Sequence, residues 1–201
     1  MLEETKHSAT VIIVLHEIYG VNRHIREVCN QIGRYGMDSI APNLLQDRGP
    51  FNYDQEALAY DFFMKSVGFE NAFKQVTEVL RKARANYKKV YVLGYSVGAT
   101  LAWRCSATGM CDAVVGLYGS RIRDYLEIMP ACPVLLFFPT QEKAFAVDNL
   151  ISQLSSYETV QVKKLAGQHG FADPFSPNYN KKAARKACKE ILSFAKPNMF
   201  D

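Results

Sequence analysis

Apolar and polar positions along this chain switch repeatedly between two periods. Thr10–Leu15 (TVIIVL) is an unbroken apolar, β-branched run, the pattern of a strand covered on both faces. Asn22 stands where a helix N-cap is wanted. Ile25, Val28, Cys29 and Ile32 then recur at helical spacing, with Gly33 and Gly36 near the end. Met37–Ala41 predicts a short strand stopped by Pro42, and Leu44 to Asn52 a loop broken at Gly49-Pro50. Two helical stretches follow, about Asp54–Ser66 and Glu70–Ala85. In the second, Phe69, Ala72, Phe73, Val76, Val79 and Leu80 share one face. Lys89–Leu93 predicts a strand running into Gly94-Tyr-Ser-Val-Gly98 and then a helix from about Ala99. Further strands are expected over Ala113–Leu117, Pro133–Phe138 and Thr159–Leu165, and helices over Arg121–Met129, Phe145–Ser156 and Lys181–Lys196. Strands alternating with helices throughout predict an α/β fold with a mostly parallel sheet and helices on both faces. No repeat or linker interrupts the pattern, so residues 1–201 read as one domain.

The candidate chemistry begins at Gly94–Gly98, a GxSxG pentapeptide. Alone it is a weak signal. Placed between a strand and a helix it predicts the nucleophile elbow of the α/β-hydrolase fold. The turn must lift the Ser96 hydroxyl above the sheet while strand and helix pass very close, and only residues without a Cβ fit two positions either side. Ser96 would then sit at a helix start, where free N–H groups favour developing negative charge. The backbone N–H of Val97 is one expected oxyanion donor.

A serine hydroxyl needs a neighbour to take its proton. Of the four histidines, His7 lies in a polar arm, His24 early in a helix, and His16 at the end of the first predicted strand. His169 follows the last strand in the loop Ala166-Gly-Gln-His-Gly170. Catalytic groups gather at such carboxyl ends of parallel strands, so His169 is the expected base. The chain order Ser, acid, His points to Glu142, the first carboxylate beyond Pro133–Phe138. Asp148 is the fallback within the next helix, and Asp173 is too close to His169 in sequence for the usual arrangement. The segment His16-Glu17-Ile18-Tyr19-Gly20 follows the first predicted strand, so the Ile18 N–H is the expected second oxyanion donor and Glu17 a carboxylate near the site. His16-Glu17 does not begin an HExxH motif, and no zinc site is expected there.

Composition narrows the class. Hydrophobic residues make up 48% and charged residues 22%, which suits a soluble globular protein rather than a disordered one. The net charge of +4 arises in short clusters such as Lys88-Lys89, and no nucleic-acid partner is expected. The five cysteines are odd in number and form no CxxC pair, which excludes a disulfide framework and predicts reduced thiols in a cytoplasmic protein. The polar N-terminus is unlike a signal peptide, and no apolar run approaches a membrane span. The loop Leu44–Asn52 is a candidate pocket wall.

Taken together, HEIYG (His16–Gly20), SIAP (Ser39–Pro42), GYSVG (Gly94–Gly98), GLYG (Gly116–Gly119), PVLLFF (Pro133–Phe138) and GQHGFADP (Gly167–Pro174) resemble the dienelactone hydrolase family. The segments span most of the chain in the family's order. The resemblance implies Ser96 as nucleophile, His169 as base, Glu17 as the first-strand glutamate, and Ile18 and Val97 as oxyanion donors. Three departures stand out: a serine where dienelactone hydrolase proper has cysteine, a glutamate (Glu142) where the triad acid is usually aspartate, and Asp173 where those enzymes carry a substrate-binding arginine. The implied activity is hydrolysis of a small ester or lactone through an acyl-enzyme, without cofactor or metal, in a monomer or small homo-oligomer. The alternatives are an acyl-thioesterase or general carboxylesterase, and a non-catalytic binding protein on the same fold.

Overall fold

The computed structural model describes residues 1–142 and 145–199, with side chains to residue 195. Its centre is a seven-stranded sheet in the order β1-β3-β2-β4-β5-β6-β7. The strands are β1 (Leu2–Glu4), β2 (Thr10–Leu15), β3 (Asp38–Ala41), β4 (Lys89–Tyr95), β5 (Ala113–Leu117), β6 (Val134–Pro139) and β7 (Val160–Leu165). All pairings are parallel except β1 with β3. This is the α/β-hydrolase architecture that the alternation of elements predicts.

The period-two pattern of the strands sorts the core into two layers. Ile13, Leu15, Val92, Val114, Leu136 and Phe138 face one side, packed by α3 (Gly68–Asn86), α4 (Val97–Cys105) and α5 (Val147–Leu154). Val14, Leu93, Val115, Leu117, Leu135 and Phe137 face the other, packed by α1 (Arg23–Arg34) and α6 (Lys181–Met199). The middle strands are buried at every position but Lys89, which is why their sequences run apolar without alternation. Asn22 caps α1 as expected, its side chain accepting from the Ile25 N–H at 3.2 Å.

Several expectations are corrected. The polar N-terminal arm contributes β1, a three-residue edge strand whose short sequence carries no period of its own. It pairs with β3, while the buried Asp38 accepts the Lys6 and Ser8 N–H groups. The two predicted helices over 54–85 form a nearly continuous run: a 3₁₀ turn at Tyr53–Gln55, α2 (Glu56–Phe62), a π-turn at Phe63–Val67, and α3. Gly68 makes the junction with a left-handed φ of +70°. The expected helix over Arg121–Met129 is a single 3₁₀ turn, Ser120–Asp124. The carbonyls that would continue it are taken by side chains, Tyr125 O by the Trp103 indole at 2.8 Å and Leu126 O by the Tyr157 hydroxyl. α4 begins at Val97 rather than Ala99, because the turn of Ser96 leads straight into it. The helix expected over Phe145–Ser156 is shorter, Val147–Leu154.

Candidate active site

Ser96 sits between β4 and α4 with φ +55° and ψ −116°, a conformation that L-residues rarely hold unless their surroundings impose it. The imposition is steric. A Cβ on Gly94 would lie 2.2 Å from the Gly98 carbonyl oxygen, and one on Gly98 would lie 2.3 Å from the Leu15 carbonyl oxygen. The Ser96 N–H is anchored to Leu117 O at 3.0 Å. The hydroxyl therefore stands at the carboxyl end of the sheet.

His169 reaches it from the β7 end. Its Nε2 lies 2.8 Å from Ser96 Oγ, and its Nδ1 lies 2.7 Å from Glu142 Oε1. A carboxylate can only accept, so the proton is on Nδ1, and Nε2 is free to accept from the serine O–H. Two ties bring Glu142 and His169 together. Thr140 N–H donates to Leu165 O and Gln141 N–H to Gly167 O, joining the β6 and β7 loops. Asn178 Nδ2 donates to His169 O at 2.9 Å, holding the second loop from outside. Gly167 and Gly170 have φ of +136° and +84°, so the turn around His169 needs them. The fallback acid, Asp148, instead pairs with Lys164 at 2.6 Å on the surface.

Electrostatics suit a base. Burial pushes the His169 pKa down, but the hydrogen bond to Glu142 and its charge, with help from Glu17 and Glu56, carry it above the ordinary value. Glu142 is nearly enclosed, its side chain 6% exposed.

Ser96, His169, Glu142, Glu17, Ile18 and Val97 all border one cleft of about 530 Å³. Val97 opens α4, so its N–H has no acceptor within the helix. Ile18 and Glu17 follow β2, held by His16: the buried imidazole accepts the Leu44 N–H at 2.9 Å and donates to Glu17 O at 2.5 Å. Burial lowers the His16 pKa to about 4, so it is neutral and can play both roles. Glu17 is itself buried. Burial first, then the charge of Asp173, push its pKa up to about 7. The Tyr118 hydroxyl abuts this carboxylate outside hydrogen-bonding geometry and has no other partner. The loop 44–52 does not wall the cleft: Leu44 and Leu45 are fully buried in the core. That wall comes from Tyr53, Glu56, Tyr60, Met64 and Phe69.

Some groupings around the site escaped the sequence reading. Arg121 and Arg123 border the cleft, brought there by the 3₁₀ turn after β5. Asp173, Tyr53 and His24 converge behind Glu17. Nothing local in the sequence marks that convergence, since these residues come from three distant segments. Among the described residues, no helix is long and apolar enough to cross a membrane.

The family model for the dienelactone hydrolase family matches residues 1–199. The chain belongs to the dienelactone hydrolase family. The chain is 39% identical over 173 residues to the uncharacterized protein YczH of Bacillus subtilis (strain 168), an alignment covering 85% of each chain. It is 28% identical over 214 residues to a carboxymethylenebutenolidase of Pseudomonas putida, covering 96% of this chain and 87% of the relative. The fold of this dienelactone hydrolase family member matches that of a putative dienelactone hydrolase from Klebsiella pneumoniae with a TM-score of 0.76, at 19% identity, covering 91% and 85% of the two chains.

Proposed function

We propose that this protein hydrolyses a small ester or lactone through an acyl-enzyme on Ser96. The observation that carries the reading is the unbroken series Ser96 Oγ, His169 Nε2, His169 Nδ1, Glu142 Oε1, with links of 2.8 and 2.7 Å. His169 accepts the Ser96 proton as the serine oxygen attacks the carbonyl carbon. The Ile18 and Val97 N–H groups receive the oxyanion, and loss of one such donor costs about 10²–10³ in rate. The imidazolium, steadied by Glu142, returns the proton to the leaving alcohol. Water then repeats the sequence on the acyl-enzyme. Membership of a family whose members include carboxymethylenebutenolidases brings the ester and lactone class to this chain. Asp173 behind the pocket favours a substrate without a carboxylate at that point.

Labelling with a fluorophosphonate probe, mapped by intact mass and peptide analysis, tests the reading. A single adduct on Ser96, absent in Ser96→Ala and sharply reduced in His169→Ala, is expected. A folded wild-type protein that takes no label would overturn it and favour a binding role for the fold.

A further inference from the structure

The five cysteines are all free, and two of them meet. Cys111 stands just before β5 and Cys132 just before β6, at the amino edge of the sheet, the far end of the strands from the cleft. Their sulfurs are 3.8 Å apart. The proposed acyl transfer does not use them. No local pattern in the sequence pairs them either, because only the parallel register of Val114 with Val134 brings the two segments side by side.

The backbone around the pair is already held. Asp112 N–H donates to Val90 O at 2.7 Å, Val114 N–H to Pro133 O at 3.0 Å and Ala131 N–H to Ser106 O at 2.8 Å. Chains entering neighbouring strands run about 4.8 Å apart, inside the ~4.4–6.8 Å between Cα atoms that a disulfide spans. To reach a bond of ~2.05 Å each sulfur has to move about 0.9 Å, a distance within reach of side-chain rotation. Access differs among the thiols. Cys29 and Cys105 are sealed at 0% exposure, whereas Cys111 and Cys132 keep 6% and 7%, an opening on the scale of a small oxidant. Cys188 is exposed on α6.

The two sulfurs are also unequal. The Cys111 S–H has two acceptors within reach, Cys105 O at 3.3 Å and Cys132 Sγ. Turned to Cys132, it steadies a thiolate there. That hydrogen bond holds the Cys132 thiol below its ordinary value despite burial, and the same bond, together with burial, pushes Cys111 up. Asp112, whose charge opposes a thiolate, is paired with Arg84 at 2.8 Å. One sulfur disposed to attack beside a second placed to resolve is the arrangement that reversible thiol oxidation requires.

We propose that Cys111 and Cys132 form a site of reversible oxidation by hydrogen peroxide, closing to a disulfide that staples the entries of β5 and β6. The Cys132 thiolate attacks one peroxide oxygen and the O–O bond breaks, leaving a sulfenic acid on Cys132 and a hydroxide that takes up a proton as water. The Cys111 sulfur then attacks the Cys132 sulfur. The S–O bond breaks, and the departing hydroxide takes the Cys111 proton as a second water. The two thiols have together given two electrons to the peroxide, and a dithiol reductant returns them. The segment so closed contains β5 and the turn that carries Arg121 and Arg123. Oxidation therefore restricts the unfolded chain while leaving Ser96 and its partners in place.

The test treats the reduced full chain with hydrogen peroxide, unfolds it in an alkylating reagent and reads intact mass and fragmentation-mapped peptides. Cys111 and Cys132 should escape alkylation together, joined in one intramolecular disulfide that dithiothreitol reverses. The melting temperature should rise by about 5–15 °C, and fluorophosphonate labelling of Ser96 should be unchanged. Cys188→Ser should alter none of this. Cys111→Ser should stop at a sulfenic acid on Cys132, trapped by dimedone, whereas Cys132→Ser should leave Cys111 a thiol. The wild-type map stands even where a serine variant fails to fold. A folded wild type whose Cys111 and Cys132 both remain alkylated, or whose Cys132 is joined to Cys105 or Cys188 instead, would overturn the proposal, as would a disulfide that leaves the melting temperature unmoved.

Discussion

Ser96 carries the sharpest residue-scale consequence of the fold. Its φ of +55° costs a serine about 1–3 kcal/mol, and glycine relieves that cost while giving up about 0.5–1 kcal/mol of chain entropy. Both Ser96→Gly and Ser96→Ala remove the hydroxyl and so should abolish labelling and turnover. They should differ in stability, with Ser96→Gly about 1 kcal/mol more resistant to urea, as read by the fluorescence of the single, buried Trp103. Equal midpoints would mean the turn is not strained. His169 supplies a second prediction. Its pKa is raised, against the effect of burial, by Glu142, and the base works only when neutral. Activity should therefore climb with pH through a midpoint above the ordinary histidine value. Glu142→Gln removes the charge, so that midpoint should move to lower pH while kcat falls on the order of 10²–10⁴-fold. A kcat/KM profile with an unmoved midpoint would show that Glu142 does not hold the imidazole.

At the scale of elements, the elbow depends on how closely β2, β4 and α4 approach. Gly98 meets the Leu15 carbonyl, which is backbone in a central strand and cannot turn aside. Gly98→Ala should therefore cost at least the ~1–3 kcal/mol typical of overpacking and lower labelling by displacing the Val97 N–H. A denaturation midpoint matching wild type would contradict the packing described. The loops after β6 and β7 form a comparable pair. The Thr140 and Gln141 bonds to Leu165 and Gly167 continue the sheet ladder past the strand ends. This decides that Glu142, rather than Asp148, faces His169.

Across the whole molecule, the two core layers lie on opposite faces of the sheet, whereas the cleft lies along its carboxyl edge. Stability and chemistry are therefore separable. Leu80 on α3 is fully buried in one layer and borders no part of the cleft. Leu80→Ala should cost about 2–5 kcal/mol, a large share of the ~5–15 kcal/mol usual for a domain. Below its lowered melting temperature it should still label at Ser96 at the wild-type rate. A parallel loss of labelling would mean that the cleft depends on this layer directly.

The sequence by itself determined the elements whose physics is local. Central strands needed apolar residues at every position, as in Thr10–Leu15 and Pro133–Phe138. Asn22 offered a side-chain acceptor at a helix start, and Gly94 and Gly98 marked a backbone approach that admits no Cβ. The fold class followed, because alternating strand and helix leaves few ways to bury both faces of a sheet. Tertiary structure alone decided what depends on distant partners. β1 exists only by pairing with β3. The 3₁₀ turn at Ser120–Asp124 ends where Trp103 and Tyr157 capture the Tyr125 and Leu126 carbonyls just beyond it, and the turn brings Arg121 and Arg123 to the cleft. The grouping of Glu17, His24 and Asp173 joins residues up to 156 positions apart (173 − 17). No periodicity reports such a meeting, because the free energy that enforces it belongs to the packed sheet and not to any one segment.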